Sequence, residues 1–227
     1  MPHLVAPVLP PGRLSGSPQP SLRADGGLLL RPWSEADAPR LVEIFRDPAI
    51  RRWHLRRADS EEEARRWVAE WRRAWRAERG AHWAVVTDPP NAAAGKHDPE
   101  HREGDAGGTV VGRVALQGII PMGGQAELAY WTAPAARGGG VARRAVGAVT
   151  AWAFGEAGFH RLELGHSTAN PASCRVAAAA GYLLEGVRRR ALLHTDGWHD
   201  MHLHARLSED PPPGGSGKSG KAPADRV

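Results

Sequence analysis

The chain has 227 residues, 41% of them hydrophobic, with a net charge of +5 and an isoelectric point near 10.1. That supports one core of ordinary size, and no apolar run approaches the roughly 20 residues that cross a bilayer. A single cysteine, Cys174, excludes an internal disulfide framework and an all-cysteine zinc cluster.

Met1-Pro2-His3-Leu4 is not a basic segment leading into an apolar block, so no secretory signal is expected and the compartment is expected to be cytoplasmic. Of the 30 basic residues 27 are arginine, and the abundance of alanine, glycine and proline makes codon usage the first explanation of that excess. Direct nucleic-acid binding is not expected, because the arginines of residues 60–79 are interleaved with glutamates and no binding motif accompanies them. The eleven histidines are scattered. His199, His202 and His204 have only the adjacent Asp200 near them in sequence, so no metal is expected.

Residues 1–21 carry six prolines and no apolar period, which predicts a disordered leader. One mixed α/β domain is expected over 22–208. It opens with a strand at Leu28–Trp33, followed by a helix capped by Ser34 with Asp37, its inner face Leu41, Val42 and Phe45, stopped at Asp47-Pro48. Residues 50–57 have no clean period. Ser60 and Glu63 then form a capping box, and Ala64, Trp67, Val68, Trp71 and Trp75 recur at helical spacing, the tryptophans reading as core anchors. Strands are predicted at 82–87 and 109–116, separated by a Pro- and Gly-rich stretch, 88–108, too long for a turn and expected as a mobile insertion. A strand at 126–132, a helix to Phe154, a strand at 161–166 and a short alanine-rich helix from Asn170 follow. Two closing antiparallel strands, 185–190 and 199–207, turn at Asp196-Gly197. Residues 209–227 read as a disordered tail.

The most informative stretch joins the strand Glu127–Thr132 to the helix that begins after Gly140. Pro134 ends the strand because it cannot donate to a ladder. Gly138, Gly139 and Gly140 follow, then Val141, Ala142, Ala145, Val146, Val149 and Trp152 at helical period. A strand, a glycine turn and a helix in that order make an anion site: the first helical N–H groups lack partners, the dipole end is positive, and glycine admits close approach. A Walker loop would need Gly-Lys-Ser/Thr where Gly140-Val141-Ala142 stands, and the dinucleotide fingerprint would need glycine at Arg143.

Arg137-x-x-Gly140-x-Ala142 resembles the R/Q-x-x-G-x-G/A signature of the GNAT acetyltransferases. Three further pieces resemble the branch that acetylates ribosomal-protein N-termini: Leu28–Trp33 with Glu35-Ala36-Asp37, Glu127–Trp131, and Asn170-Pro171-Ala172-Ser173 with Arg175-Val176 and Gly181-Tyr182. Together they cover nearly the whole domain in the family's order. The resemblance implies a central, mostly antiparallel sheet flanked by helices, and acetyl-CoA as co-substrate without a metal. It places the pyrophosphate on Arg137, Gly138, Gly139, Gly140, Val141 and Ala142. Trp131, Thr132 and Ala133 would pair with the pantetheine arm, with Asn170 also on that arm. Ser173 would be general acid or hydrogen-bond donor to the leaving sulfur, because the position four residues later, where many members carry tyrosine, is Ala177. Glu127 is the first candidate base and His54 the second.

Deprotonating a lysine side chain at pH 7.5 costs about 4 kcal/mol, against well under 1 kcal/mol for an α-amine near 7.7–8.0. A site without an assured base therefore suits a protein N-terminus, transferred by direct attack in a ternary complex. A small-molecule amine, or a non-catalytic acyl-CoA-binding module, is the alternative. A monomer or homodimer is expected.

Overall fold

Several helix starts in this chain are set by short polar side chains that accept from backbone N–H groups otherwise left without partners. Ser34 and Asp37 form the expected capping box around a short 3-10 turn, Glu35–Asp37, and Arg31 clamps the Asp37 carboxylate at 2.8 and 2.7 Å. Helix α1 (Ala38–Ile44) continues from it. Asp47-Pro48, read in the sequence as a stop, is also a start: Asp47 accepts from the Ile50 amide at 2.9 Å and Pro48 opens α2 (Pro48–Trp53). Proline at a first helical position sacrifices no hydrogen bond, which is why the same dipeptide can do both. Ser60 caps α3 (Glu61–Arg76) through the Glu63 amide, while the Glu63 carboxylate accepts from the Asp59 amide.

The computed structural model describes residues 4–87 and 108–213, and builds on these helices an eight-stranded sheet. The strands are β1 (Leu22–Ala24), β2 (Leu28–Pro32), β3 (Gly80–Thr87), β4 (Val110–Ile120), β5 (Gln125–Thr132), β6 (Arg161–Ser167), β7 (Leu183–His194) and β8 (Gly197–Leu207). Their spatial order is β1-β2-β3-β4-β5-β6-β8-β7, and every neighbouring pair is antiparallel except β5 with β6. Strand β1 and the extensions of β4, β7 and β8 go beyond the sequence expectation. Apart from residues 108 and 209–213, the expected insertion and tail lie outside the described residues.

Alternation along β3 divides the apolar residues between two cores. Ala81, Trp83 and Val85 join one, with α4 (Val141–Trp152), Phe159, Leu162 and Leu164. Ala84 and Val86 join the other, with Leu41, Phe45, Trp67, Val68 and Trp131. A bulge keeps β4 in step: Val85 faces Gly112 and Val86 faces Val110, so Val111 is the extra residue.

The leader is the clearest correction. Described from residue 4 onward, it packs on the domain, with Leu9 and Leu14 only 2% and 3% exposed in the α4-side core. The Glu78 carboxylate accepts from the amides of Gly12, Leu14 and Ser15, and the indoles of Trp75 and Trp83 donate to the carbonyls of Ser17 and Pro20. Proline-rich sequence lacks periodicity of its own, but two leucines and a row of backbone groups suffice once a finished surface offers partners.

Candidate active site

Strands β5 and β6 run parallel for only three registered pairs, Gln125 with Arg161, Ala126 with Leu162 and Glu127 with Glu163. Beyond them β5 stays with β4 to Thr132 and β6 stays with β8 to Ser167, so the two part. A cavity of about 1210 Å³ opens there, walled by β5, β6 and the starts of α4 and α5 (Pro171–Ala179). The Ala133 amide donates to the Val111 carbonyl at 2.8 Å, and the β4–β5 ladder runs on from there without a shift to Gln117. Antiparallel pairing alternates. The backbone groups of Ala133, Trp131, Ala129 and Glu127 therefore turn to β4, those of Leu128 turn to the β6 side where the pairing ends, and those of Tyr130 and Thr132 turn to the gap. Of the three residues expected to meet a ligand arm, only Thr132 is so oriented. Trp131 is 7% exposed, its ring against Trp33 and Phe45.

At one end of the gap, the turn after Pro134 leads through Gly138, at φ +80°, to Gly140, at φ +71°. Gly140 is the N-cap of α4, and no side chain caps that helix. A left-handed N-cap suits glycine, and the helix's first amides are left pointing outward. Gly138, Gly140, Val141 and Ala142 line the cavity; Gly139 is off its wall. Arg137 also lines it, but its guanidinium grips Asp47 with contacts of 2.8 and 3.4 Å, tying the turn to the start of α2. The Arg137 hydrogen bond is the main cause that holds the Asp47 carboxyl below its usual range.

The other end is the start of α5. Asn170, expected on the ligand arm, caps this helix, its Oδ1 accepting from the Ser173 amide at 3.2 Å. Asn170 and Ser173 both line the cavity. The position of the missing tyrosine, Ala177, is fully buried. A different phenol reaches the same place: Tyr130 on β5 donates to the Ser173 carbonyl at 3.4 Å, and burial pushes its pKa up to about 12. In the sequence Tyr130 has no role beyond its place in the strand Glu127–Thr132 and in the family-like piece Glu127–Trp131.

Glu127 sits at the last registered pair before the strands part, exposed to the cavity. Its Oε1 lies 3.5 Å from where a Cβ on Gly165 of β6 would be. Among the described residues no cation pairs with it. His54, at the end of α2, lies edge-on to Phe45 at 5.1 Å. Burial, helped by Arg113 and His194, pushes its pKa down to about 4.

Arg113 was not foreseen. It is 7% exposed on β4, and its Nη2 donates to His82 Nδ1 at 2.7 Å. Its guanidinium lies 5.1 Å over Trp71, which stacks on His82 at 5.3 Å. Among the described residues its Nε has no hydrogen-bond partner and no carboxylate pairs with it. Burial alone lowers Arg113 to about 10. The signal was available, since an arginine inside the apolar run Val110–Leu116 of a central strand demands a partner. Trp71, read as a core anchor, is instead cavity wall; Trp67 is mostly buried but also reaches the cavity, and Trp75 is buried away from it.

The sequence model of the acetyltransferase (GNAT) domain family matches residues 27–183. The chain belongs to the GNAT acetyltransferase family. It is 28% identical over 98 residues to the ribosomal-protein-serine acetyltransferase of Escherichia coli K12, a match covering 43% of this chain and 55% of that protein. It is 34% identical over 102 residues to the probable N-acetyltransferase YjcK of Bacillus subtilis, covering 44% and 56%. The chain thus spans about half the length of the curated relatives it matches. Among solved structures, RimL, a ribosomal L7/L12 α-N-protein acetyltransferase in complex with coenzyme A, superposes with a TM-score of 0.71 at 18% identity, over 83% of this chain and 98% of that one. Among the described residues no helix is long and apolar enough to cross a membrane.

Proposed function

We propose that this chain is an N-acetyltransferase that holds acetyl-CoA in the gap between β5 and β6. It passes the acetyl group to a primary amine, foremost the α-amine of a protein N-terminus, by direct attack in a ternary complex. The observation that carries the reading is the parting of β5 from β6 after Glu127, with the uncapped start of α4 at one end and Ser173 at the other. The E. coli relative and the RimL structure, named for ribosomal-protein acetylation, support the choice of acceptor.

In this reading the amides from Gly138 to Ala142 receive the pyrophosphate, with the helix dipole adding about 0.3–1 kcal/mol. The gap-facing backbone of Tyr130 and Thr132 continues β5 as a ladder for the amide-bearing pantetheine arm. Arg137 acts through Asp47 to fix the turn rather than as a phosphate ligand. The amine nitrogen attacks the thioester carbon, the C–S bond breaks, and the nitrogen's proton passes to Glu127 directly or through water. The sulfur leaves as a thiolate. With a thiol pKa near 8.5 and a phenol held near 12, full proton transfer from Tyr130 is uphill. Ser173 Oγ, and Tyr130 once its hydroxyl turns from the Ser173 carbonyl to the sulfur, therefore serve as hydrogen-bond donors that stabilise the thiolate, and water supplies its proton. With His54 and His82 neutral and Arg56 paired to Glu70, Arg113 is the cation on the wall of Trp67, Trp71 and His82 that no carboxylate among the described residues pairs, a donor for an acceptor carbonyl or carboxylate.

The test is thiol release from acetyl-CoA with N-terminal peptides, aminoglycosides, polyamines and free lysine. N-terminal peptides are expected to turn over and lysine side chains not. Release with aminoglycosides or polyamines alone would replace the acceptor assignment. Tight acetyl-CoA binding with no release from any acceptor would favour the regulatory module.

A further inference from the structure

Three histidines and the chain's single cysteine meet beneath α5. His166 on β6 and His202 on β8 are registered partners, and His204 stands two residues along β8 from His202, so all three project from one face of the paired strands. Cys174 comes down onto them from α5. One ligand atom from each of the four residues lies within 4.8 Å of the others. His166 and His204 are buried, and His202 and Cys174 partly so.

The hydrogen bonds around the rings fix which atoms face inward. His166 Nδ1 lies 2.8 Å from the Ser167 carbonyl, and His204 Nδ1 lies 3.3 Å from the Tyr182 carbonyl. A carbonyl only accepts, so each Nδ1 carries the hydrogen. In a neutral ring that leaves Nε2 with a lone pair. These two Nε2 atoms face each other at 3.2 Å. Two lone pairs so close repel unless a proton or a cation lies between them. His202 Nδ1 adds a third buried nitrogen, without a hydrogen-bond partner among the described residues. Imidazoles oriented by a backbone carbonyl at the far nitrogen are how metal-binding histidines are held. A tetrahedral zinc with bonds of about 2.0–2.1 Å sets its ligand nitrogens about 3.3 Å apart, close to the 3.2 Å between the His166 and His204 Nε2 atoms, while the four ligand atoms together lie within 4.8 Å and would draw in around an ion.

We propose that His166, His202, His204 and Cys174 form a tetrahedral site for one borderline divalent transition-metal ion, Zn²⁺ foremost. Three imidazoles and a thiolate suit zinc, cobalt or nickel and give nothing to calcium or magnesium, which seek oxygen. Four protein ligands close the coordination sphere, so the ion would be a structural clip rather than a Lewis acid for substrate. It would fasten α5 to β6 and β8 immediately beside Ser173. This reverses the sequence expectation of no metal, and it does not depend on the proposed acetyl transfer.

The test uses the full chain without a histidine tag, stripped with EDTA and titrated with Co²⁺. One equivalent is expected to bind with the intense visible bands of tetrahedral Co²⁺ and a near-ultraviolet thiolate charge-transfer band, both displaced by Zn²⁺. Cys174→Ser should remove the charge-transfer band, and His202→Ala should weaken binding about tenfold to a hundredfold, with circular dichroism reporting the fold of each. His160→Ala, an exposed histidine away from the cluster, should change nothing. Zn²⁺ should raise the Tm of the wild type and not of the Cys174→Ser, His202→Ala double variant. A wild type that shows only the pale spectrum of hydrated Co²⁺, or binds no better than the double variant, would overturn the site and leave a proton shared between His166 and His204.

Discussion

Strands β3 and β4 pair through seven registered positions, and from Gly80 to Val86 every residue of β3 is buried. Strands β5 and β6 share only three positions, Gln125, Ala126 and Glu127 with Arg161, Leu162 and Glu163, of which only Ala126 and Leu162 are apolar, and then diverge. The first seam gives stability: two cores rest on its opposite faces, and Gly112 lets β4 lie so close to β5 that a Cβ there would sit 2.8 Å from the Trp131 carbonyl. The second seam leaves the gap-facing backbone of Tyr130 and Thr132 without a registered strand partner among the described residues. A ligand that brings its own amides can complete such an edge, and a protein that closed it would have nothing to bind.

The largest expected effect tests whether the open seam is where chemistry happens. Glu127→Gln should lower kcat/KM for an N-terminal peptide about a hundredfold to a thousandfold, with thermal stability and acetyl-CoA affinity unchanged. Equal loss of acetyl-CoA affinity would mean that the carboxylate is structural. On the closed side, Leu14→Ala should cost about 2–5 kcal/mol in urea unfolding, because the leader is part of the core. A change within error would return the leader to the disordered state expected from its composition. Gly140→Glu places a side chain at φ +71° and a carboxylate at a helix N-terminus. It should weaken acetyl-CoA binding by calorimetry about a hundredfold while leaving peptide binding intact.

Smaller effects divide the donors at the sulfur. Ser173→Ala and Tyr130→Phe should each lower kcat about tenfold with little change in KM, and an unaffected Ser173→Ala enzyme would reduce Ser173 to a residue of the capping turn. Last comes a pH slope. His54 has a pKa near 4 when folded and an ordinary value near 6.5 when unfolded, so its contribution is complete above 6.5 and is lost as pH falls toward 4. Between pH 7 and 5.5 that amounts to about 1 kcal/mol, and His54→Gln should flatten the decline by that much in thermal unfolding. An identical slope in the variant would shift the cause to other buried histidines such as His82.

What the sequence determined alone is what local periodicity and capping can express. Ser34, Asp37 and Ser60 fixed helix starts, the apolar period of Val141 to Trp152 fixed α4, and the glycine turn before it was legible because Gly140 needs a left-handed backbone that few other residues adopt. Tertiary structure decided everything that depends on register between distant segments. The backbone of Thr132 faces the gap and that of Trp131 does not because the Ala133 amide bonds to Val111. Tyr130 reaches Ser173 across 43 residues, and Arg113 meets His82 across 31. His166 and His204 touch only because β8, rather than β7, lies beside β6. Spacing along the chain carries no trace of such meetings, since they are set by which backbone edges pair, and that choice is made by the folded sheet as a whole.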